Sequence, residues 1–275
     1  MTGHEASRLL LTRKVSSMEK KSQTGIQSGA SMNSAIIVAA GQGSRMNTEI
    51  PKQYLDLCGM PVLAWSLKAF QEFDPVGQII LVTAADDIDY CQSEIVDRYG
   101  FRKVSRIVPG GAERYLSVWE GLKAAKETVD TACQESGVME SGPVVFIHDG
   151  ARPMIDRPIL ERTLKCAEEC RACVAGMSVK DTIKIVDEAG YAVRTPDRSK
   201  LWQIQTPQVF LFPLVYEAYR TLIRGGIRDV TDDAMVVERM TNVRVRLVEG
   251  SYRNLKITTP EDIAMAASLF DSTKI

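Results

Sequence analysis

Ala35-Ile36-Ile37-Val38-Ala39-Ala40-Gly41-Gln42-Gly43-Ser44-Arg45-Met46-Asn47-Thr48-Glu49-Ile50-Pro51-Lys52-Gln53 begins as an apolar run and passes straight into a glycine turn that carries two cations, Arg45 and Lys52. A continuous run such as Ile36-Ile37-Val38 suits a parallel strand buried on both faces, and the carboxyl end of such a strand is where α/β folds bind phosphates. Gly41 and Gly43 let backbone N–H groups approach phosphate oxygens with no Cβ between them, while Arg45 and Lys52 supply the positive charge a triphosphate requires. Two other phosphate motifs fail here. A dinucleotide fingerprint needs glycine or alanine where Met46 stands, and a P-loop needs four residues between its glycines followed by Gly-Lys-Ser/Thr.

Working outward, the chain alternates strand and helix patterns at the spacing of βαβ units. Strands are predicted over residues 33–40, 78–83, 104–108, 144–148, 171–177 and 243–248, and helices over 62–73, 87–98, 115–128, 159–170, 213–224, 232–240 and 260–270. Asp86 and Thr259 read as N-caps, the second followed by Pro260 at the first helical position. The expected fold class is α/β: a three-layer, Rossmann-like open sheet, parallel-dominated, with helices on both faces. Residues 179–202 break the alternation, because Thr182–Val186 and Tyr191–Arg194 flank the turn signal Asp187-Glu188-Ala189-Gly190. That hairpin either caps a sheet edge or projects as an arm whose apolar face needs a partner chain.

The 275 residues are enough for one large α/β domain. With 34 basic and 35 acidic residues there is no electrostatic footprint for nucleic acid or an anionic membrane. No apolar run nears the roughly 18 residues of a membrane span, so a soluble, cytoplasmic protein is expected. Residues 1–31 are polar apart from Leu9-Leu10-Leu11, too short for a secretory core, and Glu5 and Glu19 argue against a transit peptide. They read as a disordered extension, with the domain spanning 32–275. Cys166, Cys170 and Cys173 have a spacing seen at some iron–sulfur sites, but on one helix the outer thiols would be roughly 10 Å apart. Small packing residues in a reducing compartment account for them better.

Four more clusters fall at strand ends or in loops: Pro109-Gly110-Gly111-Ala112-Glu113-Arg114 with Ser117; His148-Asp149-Gly150-Ala151-Arg152-Pro153; Gln205-Thr206-Pro207-Gln208 before a helix; and Val230-Thr231-Asp232-Asp233 opening another. In open α/β sheets the ligand crevice lies outside the carboxyl ends of the strands, so they can share one mouth. Taken singly, each has a plain alternative. Asp149 is a Mg²⁺ ligand or a loop-capping carboxylate; Arg152 binds phosphate or makes a surface ion pair; His148 reads as a satisfied loop histidine; Thr231-Asp232-Asp233 reads as a helix cap; Lys256 reads as solvated.

Their conjunction decides the matter. The motifs Ala39-Ala40-Gly41-x-Gly43-x-Arg45-Met46, Pro51-Lys52-Gln53, Gly110-Gly111-x-x-Arg114-x-x-Ser117, His148-Asp149-x-Ala151-Arg152-Pro153, Thr206-Pro207-Gln208, Thr231-Asp232-Asp233-Ala234 and Asn254-x-Lys256-Ile257-Thr258 run in colinear order from residue 33 to about 270. Together they resemble the 2-C-methyl-D-erythritol 4-phosphate cytidylyltransferase family of the non-mevalonate isoprenoid pathway. The resemblance implies a nucleotide-diphospho-sugar-transferase-like fold, a homodimer joined through the arm, and CMP transfer from CTP to methylerythritol 4-phosphate with Mg²⁺ and release of pyrophosphate. Such a reaction needs no general base, since the attacking phosphate, with a second pKa of about 6, is already largely dianionic. Two histidines in the whole chain therefore suffice. The difficulty is charge: two anions must meet, so positioning and fixed cations should dominate.

Residue by residue, the resemblance places Arg45 and Lys52 beside the α-phosphate, Gly41 and Gly43 under the triphosphate, and Asp149 at Mg²⁺. Ala39, Ala40, Gly111, Arg114 and Ser117 fall at nucleotide positions, with backbone near Ala39 and Gly111 and the Ser117 hydroxyl reading cytosine. Arg152, Thr206 and Lys256 match positions holding the methylerythritol phosphate, with Asp232 a further polar candidate, and Thr182 and Arg198 match arm residues that reach the partner's site. Ala112 stands where some relatives are polar, and Pro196 and Lys200 vary in type near the arm tip. Ribitol 5-phosphate cytidylyltransferases share several motifs, but Ala39-Ala40-Gly41 and the Thr-Asp-Asp-Ala block favour methylerythritol. A silent nucleotide-binding regulator is disfavoured by intact Arg45, Lys52 and Asp149, and an oxidoreductase by Met46.

Overall fold

The computed structural model of the chain describes residues 33–41, 50–136 and 142–271. The expectations for residues 1–31, Gly43 and Arg45 lie outside them. In chain order the elements are β1 (Asn33–Val38), β2 (Asp56–Leu57), β3 (Met60–Pro61), α1 (Val62–Gln71), β4 (Val76–Thr83), α2 (Ile88–Tyr90), β5 (Val104–Pro109), α3 (Arg114–Ser136), β6 (Val144–Asp149), α4 (Arg157–Cys170), β7 (Ala172–Ser178), β8 (Ile185–Val186), β9 (Ala192–Arg194), β10 (Trp202–Leu211), α5 (Phe212–Arg224), α6 (Asp233–Met240), β11 (Arg246–Glu249) and α7 (Pro260–Asp271).

Seven strands make one sheet in the order β11-β7-β10-β6-β1-β4-β5. β1 lies parallel to both β4 and β6, so the chain turns to opposite sides of the sheet from it. Such a reversal opens a crevice at the carboxyl ends of the strands. The apolar run behaves as its composition requires. Ala35 and Ile37 pack into one layer with Leu63, Leu67 and Phe70 of α1 and Ile159 of α4. Ile36 packs into the other with Val118 and Leu122 of α3 and Tyr219 of α5. Fully burying an isoleucine contributes about 1.5–3 kcal/mol, and Ile36 and Ile37 are both fully buried, one on each face.

Three expectations need correction. First, Gln205-Thr206-Pro207-Gln208 is no loop: it lies within β10, which runs antiparallel to both β6 and β7. Proline is tolerated there because Pro207 falls inside the register shift between Ile204 and Gln208, where the ladder is interrupted. Second, residues 87–98 are not one regular helix. A 3₁₀ turn (Ala85–Asp87) leads through α2 into a π-helical stretch (Cys91–Asp97), and the N-cap of the 3₁₀ turn is Ala84 rather than Asp86. Third, the three cysteines do not share a helix. Arg171 takes a left-handed conformation with φ of 70°, ending α4 at Cys170 and placing Cys173 on β7.

The hairpin is a projection. Its ladder is short, Ile185↔Arg194 and Val186↔Ala192, and its turn is closed by Asp187, whose carboxylate accepts from the amides of Ala189 and Tyr191. Ile183, Ile185, Val186, Tyr191 and Val193 are all exposed.

Candidate active site

A cavity of about 460 Å³ opens at the carboxyl ends of the central strands. Its lining joins Ala39, Ala40 and Gly41 after β1, Lys52 and Gln53, Gly111, Arg114 and Ser117 after β5, Asp149 and Ala151 after β6, and Lys256. Five of the separate sequence clusters thus share one mouth. A second cavity of about 490 Å³, beside Trp65 and Phe270, is lined by none of the candidate site residues.

The centre of the site is the Asp149 carboxylate at the end of β6. Arg114 Nε donates to Oδ1 at 3.1 Å, Lys256 Nζ lies 2.9 Å from Oδ2, and Arg152 Nε lies 3.7 Å from Oδ2. Burial alone would raise its pKa, but Arg114, Lys256 and Arg152 outweigh that and hold it well below the carboxylate range. Asp149 is a permanent anion.

Arg114 is itself clamped. Its Nη1 and Nη2 donate to the two oxygens of Asp233 at 2.9 and 2.8 Å, a bidentate pair, and Tyr219 Oη donates to Asp233 Oδ1 at 2.5 Å. Burial opposes the charge on Arg114, yet Asp233 and Asp149 leave its pKa well above the ordinary value. Asp233 and Tyr219 are site residues that sequence reasoning missed. Asp233 entered only within the Thr231-Asp232-Asp233 cap and motif, with no role of its own, and Tyr219 only as one position of the helix predicted over 213–224.

Behind Asp149 sits His148, fully buried. Its Nε2 lies 3.2 Å from the carbonyl of Arg152, which can only accept, so Nε2 carries the proton. Nδ1 then accepts from the Thr206 hydroxyl at 3.1 Å, and the same oxygen accepts from the Asp149 amide at 3.1 Å. Burial pushes the imidazole down to about 4, in keeping with a neutral ring. Thr206 is buried and does not line the cavity; its hydroxyl holds the Asp149 backbone.

Other expected contacts are similarly placed. The Ala39 amide donates to the Val82 carbonyl at 2.7 Å and its carbonyl accepts from Gln53 Nε2 at 2.9 Å, so both backbone groups already have a partner within the chain. The Ser117 hydroxyl accepts from the Gly111 amide at 3.1 Å and so braces the glycine loop. Glycine is required there, since a Cβ on Gly110 would stand 2.5 Å from that of Ala40, and one on Gly111 2.4 Å from that of Leu116. Asp232 caps α6, accepting from the Met235 amide at 2.9 Å, and also accepts from Gln208 at 3.0 Å. Arg152 Nη1 donates to the Asn254 carbonyl at 2.8 Å, while its buried Nε has no hydrogen-bond partner among the described residues. Thr182 and Arg198 lie on the projecting hairpin segment and do not line the cavity.

Comparison with known proteins shows the family. The family model described as IspD, 2-C-methyl-D-erythritol 4-phosphate cytidylyltransferase, matches residues 33–272. A 2-C-methyl-D-erythritol 4-phosphate cytidylyltransferase of Lachnospira eligens is 49% identical over 236 residues, covering 86% of this chain and 97% of that protein. One from Caldanaerobacter subterraneus is 44% identical, covering 85% and 96%. Among solved structures, 4-diphosphocytidyl-2C-methyl-D-erythritol synthase of Anaerococcus prevotii superposes with a TM-score of 0.71 at 32% identity, covering 88% of this chain and all of that one. The chain belongs to the 2-C-methyl-D-erythritol 4-phosphate cytidylyltransferase family.

Proposed function

We propose that the cavity around Asp149 is where CTP and methylerythritol 4-phosphate meet in the reaction of this family. The chain transfers CMP from CTP to 2-C-methyl-D-erythritol 4-phosphate, giving 4-CDP-2-C-methyl-D-erythritol and pyrophosphate for isoprenoid precursor synthesis. The observation that carries the site assignment is the ring of cations: Arg114, Arg152 and Lys256 converge on one buried carboxylate, with Lys52 on the same cavity wall. Fixed positive charge of this kind stabilises a transition state in which negative charge grows on the α-phosphate.

Lys52, with Arg45, flanks the α-phosphate, and Gly41 and Gly43 receive the triphosphate. Ala39, Ala40, Gly111 and Ser117 border the base, with Arg114 holding Asp149 in place. Lys256, Arg152, Thr206 and Asp232 serve the polyol phosphate side, Lys256 directly and the buried Thr206 through the Asp149 backbone. Asp149 suits Mg²⁺, because one hard carboxylate oxygen supplemented by substrate phosphates is a common arrangement for that ion. Its Oδ1 accepts from Arg114 and retains a second lone pair for the ion. When bound, Mg²⁺ neutralises charge on the triphosphate.

The exposed apolar hairpin supports a homodimer in which Thr182 and Arg198 of one chain complete the site of its partner. Among the described residues no helix is long and apolar enough to cross a membrane, and the described cysteines are free, which suits a reducing cytoplasm. The direct test is pyrophosphate release from CTP with Mg²⁺ and either polyol phosphate. Methylerythritol 4-phosphate should react far faster than ribitol 5-phosphate, and the reverse order would overturn the substrate assignment.

A further inference from the structure

Lys52 stands on a 3₁₀ turn of three residues, Lys52–Tyr54. Its backbone bonds are Tyr54 N–H to the Pro51 carbonyl at 2.9 Å and Leu55 N–H to the Lys52 carbonyl at 3.4 Å. Runs this short with 3₁₀ geometry are weakly bonded, so their place is set by tertiary anchors. The two residues after Lys52 are both anchors. Gln53, 3% exposed, donates its amide to the Ala39 carbonyl at the end of β1 at 2.9 Å. Tyr54 reaches the end of the neighbouring strand β4, where its Oη lies 2.9 Å from Thr83 Oγ1.

The Tyr54 hydroxyl is the centre of a closed donor sequence. Asp87 Oδ2, at 3.0 Å, can only accept as a carboxylate, so the phenol proton is committed to it. The phenol oxygen is then left to accept, from the Thr83 hydroxyl at 2.9 Å or the Cys91 thiol at 3.2 Å. Cys91 Sγ also donates to Thr83 Oγ1 at 3.6 Å. One arrangement therefore places every hydrogen: Cys91 to Thr83, Thr83 to Tyr54, Tyr54 to Asp87. Thr83 and Cys91 are fully buried, and burial and its neighbours push the phenol well above its ordinary pKa, keeping it a donor at all working pH. The ring is further fixed edge-on against Tyr90 at 4.9 Å.

Satisfied buried networks of this kind rigidify what they hold, and leaving one member unpaired costs the desolvation of that group. What this network holds is the backbone two residues from Lys52. We infer that Tyr54 is a positioning residue for CMP transfer, its hydroxyl fixing the turn that aims Lys52 at the reacting phosphate. The inference rests on the catalytic reading of Lys52 given above. Tyr54 touches no substrate. It acts through Lys52, so its contribution should exist only while Lys52 is there to be aimed.

Tyr54→Phe removes the hydroxyl and keeps the ring, so a double-mutant cycle with Lys52→Ala tests the inference. Turnover would be measured at saturating CTP and methylerythritol 4-phosphate on proteins whose melting curves show them folded. Tyr54→Phe should lower kcat about tenfold in the native background with KM for both substrates changed less than about threefold, as displacement of a catalytic group implies. In the Lys52→Ala background the same change should alter kcat less than about twofold. An equal loss in both backgrounds, or none in the native one, would overturn the inference while leaving Lys52 catalytic. Wild-type turnover in Lys52→Ala would overturn the role of Lys52 and this inference with it. If Tyr54→Phe does not fold, Thr83→Val, which removes the neighbouring hydroxyl at similar shape, takes its place in the cycle with the same outcomes.

Discussion

Asp233 has no solvent-exposed surface, and its two oxygens are spent on Arg114 and Tyr219, so the residue next to the helix cap fixes the cation that fixes Asp149. Removing one member of a buried ion pair strands the other, at a cost of about 3–5 kcal/mol, far above the 0–1 kcal/mol of a surface pair. Asp233→Ala should therefore lower the free energy of unfolding by roughly that amount. Urea denaturation checks it, and a loss below about 1 kcal/mol would mean that water replaces the carboxylate without difficulty. The half-exposed pair Arg157 with Glu161 serves as the control, since its loss should be hard to measure. The sequence identified residues by type here, but not which of them face each other. Asp149 and Arg114 were legible as charged groups following predicted strands, and Lys256, solvated when taken singly, only through its motif. The bidentate clamp was not, because residues 114 and 233 are brought together only by the packing of α3 beside α5 and α6 on one face of the sheet. Tyr54 is illegible as a site residue for a related reason: its partners, Thr83, Asp87 and Cys91, are separated from it by up to 37 positions.

At the scale of elements, periodicity made the buried strands and the main helices readable, and it failed where local chemistry overrode it. Pro207 disguised β10 as a loop, although the proline sits in the one part of the ladder that needs no amide hydrogen there. The stretch after β4 has the apolar spacing of a helix but winds as 3₁₀, α and π turns in succession, a change of hydrogen-bond pattern that apolar spacing does not encode. The hairpin is legible in the sequence because its cause is local: an Asp at the first position of the turn and a glycine with φ of 86° at its end. Its apolar side chains lack cover within the chain, with Tyr191 74% and Val193 62% exposed. Val186→Asp together with Val193→Asp should convert the proposed dimer to monomer in sedimentation velocity at micromolar concentration, with the far-UV circular dichroism unchanged. A dimer that survives both charges would place the interface elsewhere.

For the whole molecule, the question is whether each site is built by one chain or two. If Arg198 serves the partner's site, then Lys52→Ala and Arg198→Ala proteins are each strongly impaired alone but complement each other. When the two are unfolded, mixed equally and refolded, random pairing makes roughly half the dimers mixed, and each mixed dimer has one site with both defects and one with neither. Activity should return to roughly a quarter of wild type. No recovery in the presence of demonstrated mixed dimers would confine Arg198 to its own chain. The geometry of the hairpin's attachment has a broader consequence. Ser178 and Trp202 are register partners at the margin of the sheet, and the Val179 amide closes onto the Leu201 carbonyl at 3.0 Å, so the chain leaves and returns through a single point. Everything between is joined to the core backbone at that point, with Lys180 laid over the Tyr252 ring. Because that segment also carries Thr182 and Arg198, any exchange of it would alter subunit recognition and the partner's site together, and an engineer wanting an obligate heterodimer of two such enzymes would make the splice there and keep those two residues.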